Sequence, residues 1–212
     1  ILSNYTPNCI AKASVNCRVK DLEKNNEFND TNFVENFISA VKISKVDTFR
    51  AVTHNKGIMN GIDSVVIATG NDFRSIEAGI HAYASRNGTY SGLSNAFIKN
   101  DSFYFDLTIP ISIGTVGGLT KLHPLVNWAH KLLGNPCATQ LMQIIAATGL
   151  AQNFAAVKSL VTTGIQKGHM KMHLFNILNQ LGANQIQKNE AIEYFKTNPV
   201  TYNNVREFLN KK

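Results

Sequence analysis

Apolar positions along this chain recur mostly at helical spacing, with two short regions that alternate instead. Ala11, Ala13, Val15, Cys17 and Val19 are separated by polar residues, the period-two pattern of a half-buried strand. The polar stretch from Asp21 to Asp30, punctuated by asparagines, reads as a loop. After Asp30 or Thr31, either able to cap a helix, Phe33, Phe37, Ile38 and Val41 share one helical side. From Ile58 to Ala68, the residues Ile58, Ile62, Val65 and Val66 again fall at helical spacing. The cluster from Val65 to Ile67 also fits a buried strand, but helix is the preferred reading. Gly70 suits the end of that helix, and Asp72 the cap of the next, which is expected to run to about Arg86 with Phe73, Ile76, Ile80 and Tyr83 inward.

The second strand-like region lies farther on. Ala96 to Lys99 and Phe103 to Ile113 flank Asn100-Asp101-Ser102 and predict a hairpin. Residues 1 to 9, with Pro7, read as a loop. Gly114, Gly117 and Gly118 lack the spacing of a nucleotide fingerprint and read as a close-packing turn. Pro124 opens a helix that Gly134-Asn135-Pro136 stops. Two more helices are expected, Ala138 to Ala147 and Leu150 to Val161, jointed at Gly149. Gln152 and Asn153 interrupt this apolar block, so they either satisfy backbone locally or face a ligand. Beyond Gly182 the chain turns polar, with short helical patterns near 190–196 and 205–209. The fold class expected is α+β: a helix-rich domain with a small antiparallel sheet over 1–163, then a C-terminal helical flap over 164–212.

Composition narrows the functional classes. The chain has 212 residues, 44% hydrophobic and 17% charged, ordinary for a globular domain with an appendage. It opens on Ile1 and is expected to be a piece of a longer product. The apolar run from Leu141 to Ala151 is interrupted by Gln143 and reads as a buried helix too short to span a bilayer. With no signal peptide and three cysteines that make no paired framework, the expected home is the reducing cytoplasm. The net charge of +7 is spread without a basic run, which argues against a nucleic-acid interface and for weak, nonspecific attraction to anions; an anionic small substrate suits the same balance.

Candidate chemistry centres on Lys56 and Asp72, sixteen positions apart at the two ends of one apolar segment, each beside a glycine or an asparagine. Such a pair is either a cap and a surface charge or a catalytic couple. His169 and His173 share a helix face at i and i+4, but Met170 stands where a zinc protease has its glutamate, so no metal is expected.

Four motifs carry a resemblance: Thr-His-Asn-Lys-Gly-Ile-Met-Asn-Gly-Ile (53–62), Ala-Thr-Gly-Asn-Asp-Phe-Arg (68–74), Gly-Leu-Ala-Gln-Asn (149–153) and Gly-Ile-Gln-Lys-Gly-His-Met (164–170). In that order they resemble the soluble, prokaryotic-type (class II) hydroxymethylglutaryl-CoA reductases, over about residues 1 to 181. The resemblance implies reduction of 3-hydroxy-3-methylglutaryl-CoA to mevalonate and CoA by two hydrides from NADH or NADPH. It implies Lys56 as catalytic lysine, Asp72 as its supporting aspartate and His169 as the acid that protonates the departing thiolate. Arg50, Asn60 and Gln152 match substrate-binding positions, and Asn4 a position near the nucleotide. A homodimer or larger homo-oligomer is implied, with neither membrane nor nucleic acid as partner. The family's general-acid glutamate and Asp-Ala-Met-Gly nucleotide signature are not in these residues. The chain is therefore expected to be the C-terminal half of the catalytic region, inactive alone, with the cofactor bound mainly by an upstream lobe. The competing reading is a noncatalytic truncated module that binds acyl-CoA or oligomerises.

One geometric expectation is sharp. A straight helix over 58–69 would be about 18 Å long and would hold Lys56 and Asp72 apart. The couple therefore requires either a break at Asn60-Gly61, bringing the ammonium within salt-bridge reach of Asp72, or a partner from another subunit. The break is the expectation here.

Overall fold

The structure is a computed structural model describing residues 2–24, 32–162 and 164–210, with side-chain surroundings for all of these except 24, 121 and 165–171. The chain forms two compact units, Ile1–Thr162 and Thr163–Lys212. The first contains β1 (Ile10–Arg18), α1 (Val19–Lys24), α2 (Phe33–Val46), α3 (Thr48–Ala68), α4 (Phe73–Ala84), β2 (Ser94–Lys99), β3 (Ser102–Pro110), α5 (Leu119–Leu122), α6 (Pro124–Leu132) and α7 (Ala138–Val161). The second contains α8 (Ile165–Gln180), α9 (Gln185–Tyr194) and α10 (Tyr202–Asn210). The fold is α+β, as expected.

The sheet is antiparallel in the order β1-β3-β2. The β2–β3 hairpin turns at Asn100 and Asp101, with φ of 49° and 56°. Two left-handed residues make the tight turn whose twist matches the strands. The long-range pairing of β1 with β3 runs from Ile10 opposite Pro110 to Arg18 opposite Ser102. Phe103, Phe105, Leu107 and Ile109 are buried along β3. Phe37 of α2 packs against the Phe105 ring at 5.2 Å and the Phe154 ring of α7 at 5.1 Å. Each such buried side chain stabilises by roughly 1.5–3 kcal/mol, so this aromatic knot joins sheet and helices into one core.

The helical pair α3 and α7 differs from expectation in two places, for one reason. The structure has no break at Asn60-Gly61, because α3 runs continuously from Thr48 to Ala68. Nor is Gly149 a joint, because α7 runs continuously from Ala138 to Val161. These glycines are notches where the helices cross. A Cβ on Gly61 would stand 2.7 Å from the Thr148 carbonyl oxygen, and one on Gly149 would stand 2.9 Å from Ile62 Cγ1. Glycine costs a helix about 1 kcal/mol relative to alanine, which the close packing offsets. Fused in this way, α7 is long and apolar enough to cross a membrane by length and composition. In this fold Leu141, Ile145, Ala146, Leu150 and Val157 are instead buried in the core.

Smaller differences follow local chemistry. The start of the expected loop after Asp21 is the end of α1, and the rest lies outside the described residues. Asp30 and Thr31 also lie outside them; Asn32 holds the cap position of α2. α3 begins ten residues before its apolar stripe does, since the Asp47 carboxylate accepts the Arg50 backbone N–H at 2.9 Å and satisfies an orphan donor of the first turn. Phe73 at the start of α4 is 39% exposed rather than inward. The second unit encloses its own small core around Leu174, Leu178, Ala191, Phe195 and Val205.

Candidate active site

α3 sorts the predicted residues into two rows. His54, Gly57 and Gly61 form a row that faces α7, and Arg50 continues the same spacing one turn earlier. Lys56 and Asn60 form the next row and are exposed. A Cβ on Gly61 would stand 2.8 Å from Gln152 Cβ, so exposed Gln152 sits directly over the crossing, beside Asn60. Arg50 is half-buried, and burial lowers its pKa from the usual arginine value. The structure thus assembles Lys56, Asn60 and Gln152 around one helix crossing, with Arg50 on the same helix toward its N-terminus. They lie on open surface; the apolar cleft of about 430 Å³ between β1 and α7, lined by residues such as Val15, Cys17 and Phe103, includes none of them.

Asp72 is not part of that group within one chain. Twelve residues of unbroken helix separate Lys56 from Ala68, about 18 Å at 1.5 Å per residue, and no ion pair joins Lys56 to Asp72. The intrachain couple is therefore corrected. What Asp72 does within the chain is cap α4, accepting the backbone N–H groups of Arg74 at 3.1 Å and Ser75 at 3.2 Å. Its loop is firmly held. His130 Nε2 donates to the Thr69 carbonyl at 3.1 Å, and Gly114 N–H donates to Asn71 Oδ1 at 2.9 Å. Gly70 turns the chain with φ of 70°, the left-handed geometry that suits glycine. The carboxylate is exposed at a fixed position.

The remaining candidates lie elsewhere. Asn4 is exposed, and its carbonyl oxygen would be 3.2 Å from a Cβ on Gly79 of α4, so the N-terminal segment crosses that helix closely. His169 lies on α8 in the second unit, and its side chain falls outside the described surroundings.

Two linkages escaped the sequence reading, one of them through Asn153, for which a buried, backbone-satisfying role was already open. Asn153 is fully buried rather than ligand-facing. Its Oδ1 accepts from Ser94 Oγ at 2.7 Å, and Nδ2 donates to the His54 carbonyl at 3.4 Å. His54, 1% exposed, pairs with Ser94 Oγ through Nε2 at 2.7 Å. Burial, then the Arg50 and Lys45 charges, pushes its pKa down to about 3. Its only signal in the sequence is a polar pair, His54-Asn55, inside a helical motif. The second linkage is Asp63 of α3 beside Glu77 of α4. Burial, then the charge and hydrogen bond of Glu77, pushes Asp63 up to about 6. Asp63 and Glu77 are fourteen positions apart and nothing in the sequence pairs them.

Comparison with known proteins places this geometry. The family model for hydroxymethylglutaryl-coenzyme A reductase matches residues 1–174. A 3-hydroxy-3-methylglutaryl-coenzyme A reductase of Archaeoglobus fulgidus is 44% identical over 161 residues, covering 76% of this chain and 37% of that protein. A probable reductase of Borreliella burgdorferi is 41% identical over 132 residues, covering 62% of this chain and 31% of that protein. Among solved structures, a Streptococcus pneumoniae reductase matches all of this chain and 51% of its own, at 38% identity and TM-score 0.72. The class II enzyme of the same organism, bound to NADPH in open conformations, matches 76% of this chain and 44% of its own, at 45% identity and TM-score 0.72. The chain spans about a third to a half of the lengths of these relatives. With a family-model match over most of its length and relatives in archaea and bacteria, the chain belongs to the hydroxymethylglutaryl-coenzyme A reductase family, in its prokaryotic form.

Proposed function

We propose that this chain is the substrate-binding portion of a reductase that converts 3-hydroxy-3-methylglutaryl-CoA to mevalonate and CoA, working in the cytoplasm as a homodimer or larger assembly. The observation that carries the reading is the exposed cluster of Lys56, Asn60 and Gln152 at the α3–α7 crossing, with Arg50 half-buried on the same helix. Arg50 has the planar fork that binds both oxygens of a terminal carboxylate. Asn60 and Gln152 offer amide donors and acceptors to the hydroxyl and carbonyl groups between. Reduction of a thioester carbonyl builds negative charge on its oxygen, and the Lys56 ammonium stabilises that charge where it develops.

Asp72 is too far from Lys56 within one chain, so its supporting role belongs between chains: the fixed, exposed Asp72 carboxylate of one copy faces Lys56 of another, favouring the cationic lysine. A nicotinamide cofactor supplies the hydrides when bound. In this chain Asn4, exposed and with its backbone carbonyl close to Gly79, fits a single contact to its nucleotide. Most of the cofactor site would be contributed by the part of the relatives that this chain does not span. The unit beginning after Thr162 acts as a flap hinged at Gly164, whose φ of 78° favours glycine, and His169 on it protonates the expelled thiolate before it can add back. On this reading the 212-residue chain alone is inactive.

The test is thioester-dependent oxidation of NADH and NADPH by the full-length polypeptide. Lys56→Ala and Asp72→Ala should each abolish turnover, and mixing the two inactive proteins should restore part of it, because one site in a mixed dimer then has both partners. Full activity in Lys56→Ala would refute the catalytic assignment; no recovery on mixing, with exchange of subunits verified, would refute the shared couple.

A further inference from the structure

His54 and Asn153 are among the most deeply buried polar side chains of the first unit, yet no step of the chemistry above uses either. Each adjoins a candidate substrate contact: His54 lies one turn beyond Arg50 and two residues before Lys56, and Asn153 follows Gln152. We propose that His54, Ser94 and Asn153 form a positioning network that sets the α3 group (Arg50, Lys56 and Asn60) against Gln152 of α7, so that the hydroxymethylglutaryl portion is gripped in one geometry; the role rests on the reductase reading.

The proton directions follow from donor counting. Asn153 must turn Nδ2 toward the His54 carbonyl, since a carbonyl only accepts, and this leaves Oδ1 for Ser94. Ser94 has a single hydroxyl proton and gives it to Asn153, so its contact with His54 must use the imidazole N–H on Nε2. The result is a closed ring of bonds from α3 through β2 to α7 and back to α3. His54 Nδ1 then carries a lone pair, is buried and has no partner among the described residues. The charged groups facing the ring are Lys45 from α2 and Arg50 from α3, both cationic, while β2 and α7 contribute only neutral Ser94 and Asn153. The ring is therefore neutral at ordinary pH, and the tie between the helices does not titrate there.

Ser94 is itself held from the other side. Lys45 Nζ donates to the Gly92 carbonyl at 2.6 Å, Gly92 N–H to the Ser44 carbonyl at 2.7 Å, and Leu93 N–H to Asn55 Oδ1 at 3.0 Å. Apolar contacts along the crossing tolerate a small slide of one helix over the other. A ring of directional bonds does not, and in a dry interior breaking it leaves polar groups unpaired. Gln152 and Lys56 ride on the two helices so locked.

The experiment has a spectroscopic and a kinetic arm, both on the full-length polypeptide. With ¹⁵N-labelled histidine, His54, assigned by loss of its signal in His54→Gln, should show the Nε2–H tautomer and no titration between pH 5 and 8; an Nδ1–H tautomer or a titration in that range overturns the network. In kinetics, Ser94→Ala should raise KM for the thioester about tenfold with little change in kcat, the signature of lost ground-state grip. Ser94→Thr, which keeps the hydroxyl, should restore it. Asn153→Asp places a carboxylate across Ser94 from the imidazole, and KM should then vary with pH between 5 and 8 although the wild-type value does not; a purely structural role would lower stability without creating that dependence. Should Ser94→Ala fail to fold, Ser94→Cys gives a milder loss read the same way. An unchanged KM in the folded variants of an active enzyme refutes the positioning role alone. A wild type with no thioester-dependent activity refutes the reductase reading and the role with it.

Discussion

Acid should destabilise the first unit through His54, and the size of the effect can be worked from the structure. In the unfolded chain this histidine titrates near the ordinary value of about 6.5; in the fold burial and the Arg50 and Lys45 charges hold it down to about 3. Between those values the unfolded state binds a proton that the folded state refuses, so stability rises with pH across this window and is fully present above it. The whole shift corresponds to about 5 kcal/mol, and acidification from pH 7 to 5 alone removes about 2 kcal/mol. Asp63 works the other way. Its folded pKa, raised to about 6, makes the fold take up a proton before the unfolded chain does, so stability is gained as pH falls through 6. That gain is about 1 kcal/mol or less by pH 5 once solvent screening of the partly exposed Asp63–Glu77 pair is allowed for. The wild type should therefore lose only about 1 kcal/mol between pH 7 and 5, and Asp63→Asn about 2 kcal/mol, by the same linkage. The assay is urea unfolding at a series of pH values followed by fluorescence of the single tryptophan, Trp128, which lies in the first unit. An Asp63→Asn variant whose stability is flat or rises from pH 7 to 5 would refute the neutral, buried His54 on which the calculation rests.

Other perturbations separate packing from chemistry. Gly61→Ala puts a methyl group against the Thr148 carbonyl and should cost about 1–3 kcal/mol of stability in chemical denaturation, as overpacked cores do; a neutral result would mean that the helices cross farther apart. Asp72→Asn keeps a side-chain oxygen for the α4 amides and should leave stability within about 0.5 kcal/mol, whereas Asp72→Ala should lose about 1 kcal/mol. Both should abolish turnover in the full-length polypeptide, and an active Asp72→Asn would assign Asp72 to capping alone.

How much was legible depended on whether the physics was local. The β2–β3 turn at Asn100-Asp101, the helix entry at Pro124 and the cap at Asp72 could be read from a few neighbouring residues, because backbone sterics and capping act within one turn of chain. The family motifs were equally plain. Gly61 and Gly149 were misread as a break and a joint, because a glycine inside a helix looks the same whether the chain bends there or another helix presses on it. The early start of α3 was missed because His54 and Asn55, polar residues in a buried row, erase the apolar periodicity.

The sequence by itself therefore determined the fold class, most of the elements and the family, since these follow from periodicity, turn chemistry and motif identity. Tertiary structure decided what the spacing could not: that one rigid 21-residue helix keeps Lys56 and Asp72 of a chain apart, that two glycine notches bring Gln152 over Gly61, and that a neutral histidine ties the helices together. Each of these is a distance between residues remote in sequence, set by how closely two backbones approach, and side-chain order along a chain does not encode that distance.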